Sequence, residues 1–214
     1  IPIPFPGHGP RIVGVVRDSV VVLEYWTRGY SLVDEGLRKD TAWYTTVSLS
    51  DGSVRHEFPK PNRYSFVRHR SGRQPFWTFP PFLPRGVVAA RDSLIIWGMG
   101  DQPTLYLLNE RGEAVDSIQL VAERVRLRRS DVRAALASRI AGASGPEERE
   151  LWEDMFDRVS FPAQHSVFDE LLVGPDSLFW LRSPARPEDA EQQRRRWTAF
   201  GESGVPRAAL YVPV

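Results

Sequence analysis

A chain of 214 residues, 42% apolar and 26% charged, is long enough for one sizeable core or two small ones, and its composition is that of an ordinary globular protein. A net charge of +1 supplies no overall field to recruit nucleic acid or an anionic membrane surface, and no apolar run approaches the ~20 residues that span a bilayer. The absence of Cys excludes disulfides, thiol catalysis and Cys-based zinc sites, and the positive charge is almost wholly Arg, with Lys39 and Lys60 the only lysines.

The chain opens Ile1-Pro2-Ile3-Pro4-Phe5-Pro6 with neither a Met start nor a signal peptide, as expected of a mature form or a piece of a longer protein. After Phe5-Pro6 comes an apolar run, Ile12 to Val16, then Asp18-Ser19, then a second run, Val20 to Trp26. A later turn, Ser50-Asp51-Gly52-Ser53, leads into a strand from Val54 to Phe58. Residues 28–41 and 59–85 read as long connections.

Phe79 to Leu120 is the clearest unit. Phe79-Pro80 precedes the run from Gly86 to Ala90, and Asp92-Ser93 reads as a tight hairpin turn into the run from Leu94 to Trp97. A third run spans Thr104 to Leu108, Gly112 supplies positive φ in the next turn, and Ala114 to Leu120 forms the fourth strand. Four strands in about forty residues match the size of one propeller blade.

Residues 121–159 change the apolar period from 2 to 3.6. Ser130 is expected to cap a helix carrying Val132, Ala135, Leu136, Arg139 and Ile140, which Gly142 ends. Ser144 is expected to cap a second helix from Pro146, with Leu151, Trp152, Met155, Phe156 and Val159 as its apolar face. The pair predicts a helical hairpin, read as a cap on the β core or a lid for a partner.

The landmarks then recur a third time: Phe161-Pro162, Leu171 to Val173, Asp176-Ser177, the run Leu178 to Leu181 with Trp180, Glu202-Ser203-Gly204, and Val205 to Val212. Phe to Asp is 13 residues in the first two copies and 15 in the third. Three landmarks in fixed order point to a repeat, and unrelated hairpins of a β-sandwich are the competing account. In an up-and-down meander, the first-to-second and third-to-fourth turns share one end of each unit. Those turns are short here, so every long insertion falls at the opposite end, where a rigid scaffold usually carries its binding surface.

Three basic stretches lie in or beside these insertions: Arg63 to Arg70, Arg124 to Arg129, and Arg194-Arg195-Arg196-Trp197. Candidate ligand-face residues are therefore Arg63, Arg68, His69, Trp77, Arg126, Arg195 and Trp197, with a solvated rim and interblade packing as the plainer account of the same residues. His8, His56, His69 and His165 are scattered without metal-ligand spacing and read as surface or loop residues. Asp169 and Glu170 are the acids nearest the inner runs and read as unpaired. Gly7-His8-Gly9 lacks the helix a phosphate loop needs, and no nucleophile elbow occurs.

The run Phe161-Pro162, Phe168-Asp169-Glu170-Leu171-Leu172-Val173 and Leu178-Phe179-Trp180-Leu181, behind two charged helices, resembles bacterial six-bladed β-propeller proteins of the NHL/TolB-like kind. The resemblance covers about residues 79–214 well and the first unit loosely. It implies an exported protein, periplasmic or extracellular. Six blades need roughly 250 residues at about forty per blade, so it also implies the C-terminal half of a ring. The exposed edges would then meet the missing half or a second copy. Its motifs are structural and carry over no catalytic residue.

The expectation is an all-β fold: a β-propeller-like repeat of three four-stranded antiparallel blades at about 11–58, 86–120 and 168–212, in one partial propeller domain, with the helical hairpin at about 121–159. The expected function is non-enzymatic binding of a small molecule, glycan or protein at the insertion face, without a cofactor, a metal ligand, nucleic acid or a membrane span. The alternative is a calcium-dependent lactonase or hydrolase of the six-bladed class, with most of its site residues in missing blades.

Overall fold

The computed structural model describes residues 10–26, 35–70, 73–174, 176–184 and 194–213. The landmark Phe5-Pro6, His8, part of the 28–41 connection and residues 185–193 lie outside the described residues. The fold is mainly β, with three antiparallel sheets and two helices among the described residues. The first sheet is a meander of β1 (Arg11–Val16), β2 (Val20–Trp26), β3 (Gly36–Ser48), β4 (Val54–Arg70) and β5 (Arg73–Thr78). The second runs β6 (Gly86–Arg91), β7 (Leu94–Met99), β8 (Thr104–Leu108) and β9 (Ala114–Gln119). After α1 (Arg129–Ala141) and α2 (Pro146–Arg158) comes the third, β10 (Glu170–Val173), β11 (Phe179–Arg182), β12 (Arg194–Phe200) and β13 (Pro206–Pro213).

The second and third sheets follow the periodicity of the sequence closely. The first departs from it, because residues 59–85 are not a connection. β4 runs on through Pro59 and Pro61 and stays paired with β3 as far as Gly36 opposite Val67. Proline lacks the N–H that a ladder needs, so it marks a strand edge or a break. Here both prolines stand where β4 has β3 on one side only, since β5 begins to pair at Phe66 opposite Thr78. Two bulges, at Asp40/Thr41 and Thr46/Val47, absorb the mismatch.

The sheets stack in chain order, and alternation along each strand decides which face meets which neighbour. Val16, Val20, Val22, Ala42, Tyr44 and Phe58 of the first sheet bury against Val88, Ile95 and Leu108 of the second. The opposite face of the second sheet, with Val87, Ala89, Ile96, Leu105 and Ile118, buries against Leu171, Phe179, Leu181 and Phe200 of the third, around Phe168.

The short turns are joined as well. The Arg17 backbone N–H donates to the Asp92 carbonyl at 2.5 Å, and Arg91 Nη1 donates to the Ser177 carbonyl at 3.0 Å. Each Asp-Ser turn of one sheet therefore grips that of the next. The third-to-fourth turns seat instead on the fourth strand of the preceding sheet. Gly112, at φ +78°, lies so close to the Phe58 ring that a Cβ would meet it at 2.3 Å, and Gly204, at φ +72°, lies against the Gln119 carbonyl, where a Cβ would stand at 1.9 Å. Only glycine combines that φ with that approach.

At the opposite end, α2 buries Leu151, Trp152 and Met155 around Phe66 of β4, with Leu83, Leu136 and Phe161 beside them. The helix ends differ in detail from the sequence reading. α1 starts one residue before Ser130, and the Asp131 carboxylate accepts the Arg128 N–H at 3.0 Å. The N-cap of α2 is Gly145, while the Ser144 backbone N–H and hydroxyl donate to Glu148 at 2.9 and 2.7 Å. These two bonds and a third from Trp152 hold the Glu148 carboxyl below its ordinary range.

Candidate functional site

The first strands of the three sheets, β1, β6 and β10, lie side by side with β6 in the middle. Their inner side opens a cleft of about 610 Å³ whose walls include Arg11, Glu24, Asn62, Arg63, Arg85, Asp169, Glu170 and Arg182. A second hollow, of about 340 Å³, lies under the connections of the decorated end and is lined by Phe79, Phe82, Leu83, Arg139 and His165. Arg63, Arg85 and Asp169 line both, so the two hollows adjoin across these residues.

Two charge clusters form the inner cleft. Glu24, only 4% exposed, accepts bonds from Arg11 Nε at 2.6 Å, Asn62 Nδ2 at 2.6 Å and the Tyr44 hydroxyl at 3.2 Å. A buried carboxylate needs such partners, because an isolated charge cannot be desolvated cheaply. Burial, followed by the charge of Glu24 and its hydrogen bond, pushes the Tyr44 hydroxyl well above its ordinary range, so it stays a donor. In the third sheet, Arg182 Nε donates to Asp169 at 2.7 Å and Arg182 Nη1 meets Glu170 at 2.5 Å. Burial alone would lower the Arg182 pKa, but the bond and charge of Asp169 and the charge of Glu170 outweigh it and raise the value. Asp169 and Glu170, read from the sequence as unpaired, are therefore both held by one guanidinium.

The clusters occupy equivalent places. Arg11 stands opposite Glu24 and Glu170 opposite Arg182, each in the first hairpin of its sheet. Counting five residues past the Ser of each Asp-Ser turn reaches Glu24, Gly98 and Arg182. The first and third sheets thus present ion pairs of reversed polarity on either side of a glycine.

The seven residues expected at the ligand face are spread out. Arg63 reaches the cleft, its guanidinium 3.5 Å from the Phe79 ring centroid, and Trp77 meets the same Phe79 edge-on at 4.9 Å. Arg68 turns toward α2, with Nη2 3.8 Å from Glu150, and exposed His69 donates its backbone N–H to Glu35 at 2.6 Å. Arg126 is exposed and bridges to Gln164 beside a separate hollow next to α1. Arg195 and Trp197 lie on β12 opposite Val212 and Leu210, with Arg182 5.9 Å from the Trp197 ring. His165, read as a surface or loop residue, is buried: its backbone N–H donates to the Val125 carbonyl, its ring meets Phe82 edge-on at 5.6 Å, and Nε2 lies 4.0 Å from Asp131.

Among the described residues, no group of three His, Cys, Asp or Glu is placed to hold a metal ion, and no helix is long and apolar enough to cross a membrane. No family model, curated protein or solved structure matches the chain. The chemistry of the site therefore rests on its own residues. Four arginines face three carboxylates in the inner cleft, and each carboxylate is already engaged by Arg11 or Arg182. Arg63 and Arg85 add further guanidinium groups to the cleft lining, and the apolar and aromatic wall of Phe79, Phe82 and Leu83 adjoins them.

Proposed function

We propose that the chain is a non-enzymatic binding module of the β-propeller type that takes a small anionic ligand at its decorated end. The observation that carries this reading is the pair of adjoining hollows in which Arg63 and Arg85 stand between an arginine-rich inner cleft and a hollow walled by Phe79, Phe82 and Leu83. Guanidinium groups bind carboxylates and phosphates through paired N–H donors, and an adjoining aromatic wall favours a ligand with an apolar portion. The blade-like stacking of three meanders supports the propeller assignment, and within it the NHL/TolB-like kind, export to the periplasm or cell exterior, and a helical hairpin seated over the ligand end are parts of the same reading.

Melting curves with millimolar benzoate or phenyl phosphate, against neutral benzamide, test it. Stabilisation by the anions, lost in Arg63→Ala/Arg85→Ala, is expected. Equal stabilisation by benzamide, or none by either anion, would overturn it. The calcium-dependent hydrolase reading has less support, because Arg182 already holds both Asp169 and Glu170. A rise in melting temperature with millimolar calcium, abolished by Asp169→Asn, would restore it.

A further inference from the structure

The basic stretch from Arg124 to Arg129 takes no part in the inner cleft, and its backbone carries an edge of its own. Arg126 stands opposite Gln164 in an antiparallel bridge. The bonds of that bridge flank it: the Leu127 N–H donates to the Ala163 carbonyl at 3.0 Å, and the His165 backbone N–H donates to the Val125 carbonyl at 2.8 Å. In this pattern the N–H and C=O of Arg126 itself point away from Gln164, toward the other edge. Arg126 is exposed, and among the described residues neither of these two groups has a partner. An edge with an unspent donor and acceptor is a template for one more strand.

The side chains on that edge are cationic. Leu127 is only 8% exposed and turns inward, so Arg126 on the alternate position turns outward. Arg124, which donates from Nη1 to the Asp101 carbonyl at 3.0 Å, and Arg128, extended at φ −90° and ψ 150°, stand two positions to either side and are also exposed. Alternate residues of a strand recur every 6–7 Å, roughly the spacing of alternate side chains on an incoming strand. Five arginines in residues 123–133 oppose Glu123 and Asp131, a local formal charge of +3 where the whole chain has +1. Asp131 is engaged by the Arg128 backbone N–H.

We propose that this edge docks an extended acidic segment of a partner protein, added as a strand beside Arg126 with alternate carboxylates against Arg124, Arg126 and Arg128. Opposite charges across a strand pair stabilise it, and the main-chain bonds fix its direction and register. The backbone of Arg126 selects this occupant. A peptide brings both an N–H and a carbonyl to it, whereas the phosphates of a nucleic acid or an anionic lipid bring acceptors alone. A net charge of +1 also supplies no wide field to hold a large polyanion. Beside the arm, a hollow of about 830 Å³ walled by Val125, Val132, Phe161 and Pro162 gives an apolar residue of the same segment a place.

Fluorescence anisotropy of a short labelled peptide alternating Glu and Val, titrated with the full chain at low salt, tests the proposal. Saturable binding is expected. It should weaken at least about tenfold for a Lys-Val peptide and for the Glu-Val peptide methylated on the backbone nitrogens of its Glu residues. Arg126→Glu and Arg128→Glu should weaken it to the same extent with the thermal melt unchanged; if Arg128→Glu does not fold, Arg126→Glu carries the comparison. Absence of binding overturns the proposal, as does undiminished binding by the methylated peptide, the Lys-Val peptide or Arg126→Glu. Equal or tighter binding of a single-stranded oligonucleotide or of phosphatidylserine vesicles also overturns it, in favour of a phosphate-bearing partner.

Discussion

Removing the carboxylate of Glu24 tests the inner cleft most directly. In Glu24→Ala, Arg11 loses its ion pair but is 64% exposed and returns to water, so that loss counts for little. Tyr44 and Asn62 do not have that recourse, since both are buried and both donate to Glu24. A buried donor left unsatisfied costs about 1–3 kcal/mol. Their mutual contact, at 3.5 Å, is too long to compensate. The sum, with the small cavity left behind, is a loss of about 3–5 kcal/mol, the range for breaking a buried charge pair from one side. Glu24→Gln keeps one acceptor oxygen and the volume, and should lose about 1–2 kcal/mol. Urea unfolding at neutral pH, followed by tryptophan fluorescence and fitted with a shared slope, measures both. A Glu24→Ala variant within about 0.5 kcal/mol of the parent, or a Gln variant worse than Ala, would refute the argument.

Tyr44 gives a pH signature. Its folded pKa is raised above the unfolded value, so its contribution is complete below about pH 10 and is lost as the pH climbs toward the folded value. Over that window, stability should fall by about 1.4 kcal/mol per pH unit for this one proton, and Tyr44→Phe should flatten the alkaline slope by that amount. Gly112→Ala should cost at least about 1–2 kcal/mol for its left-handed backbone, and more for the Phe58 contact, whereas Gly145→Ala, with open space around it, should cost only the difference between Gly and Ala as an N-cap, about 0.5–1 kcal/mol; paired thermal melts compare them. Met155→Ala, at a site with no exposure, should lose about 2–5 kcal/mol in urea unfolding. Deleting residues 125–157 should nevertheless leave the β circular-dichroism signal, because neither intersheet core draws on them; loss of that signal would show the helices to be integral to the sheets.

Strand order in the second and third sheets was legible because each first hairpin is bounded by Asp-Ser and alternates cleanly, so that local pattern and final pairing agree. The first sheet was only half legible. Pro59 and Pro61 look like punctuation, and only the pairing partner shows that β4 is an edge at that point. The site was harder still. A search for charge clusters along the chain finds Arg63 to Arg70 and Arg194 to Arg196, whereas the groups that organise the cleft, Arg11 with Glu24 and Asp169 with Arg182, are each 13 residues apart and meet only across a hairpin. The signal that would have revealed them is a charge at the fifth residue past the Asp-Ser turn, in strands otherwise apolar. The burial of His165 is hidden from the sequence for a related reason, since it depends on Phe82 and α1, both remote along the chain.

The grip of Arg17 on Asp92 and of Arg91 on Ser177 also bears on how this chain can change length. The middle turn, Asp92-Ser93, is at once held by the first and the holder of the third, so a residue added there would spoil two joints together. At the opposite end the Val167 N–H donates to the Gly100 carbonyl at 2.7 Å, but the connections around that joint are long, and that is where long segments and a pair of helices have accumulated. Evolution, or an engineer grafting a foreign loop, can write freely on one end of this molecule because the other is locked in step.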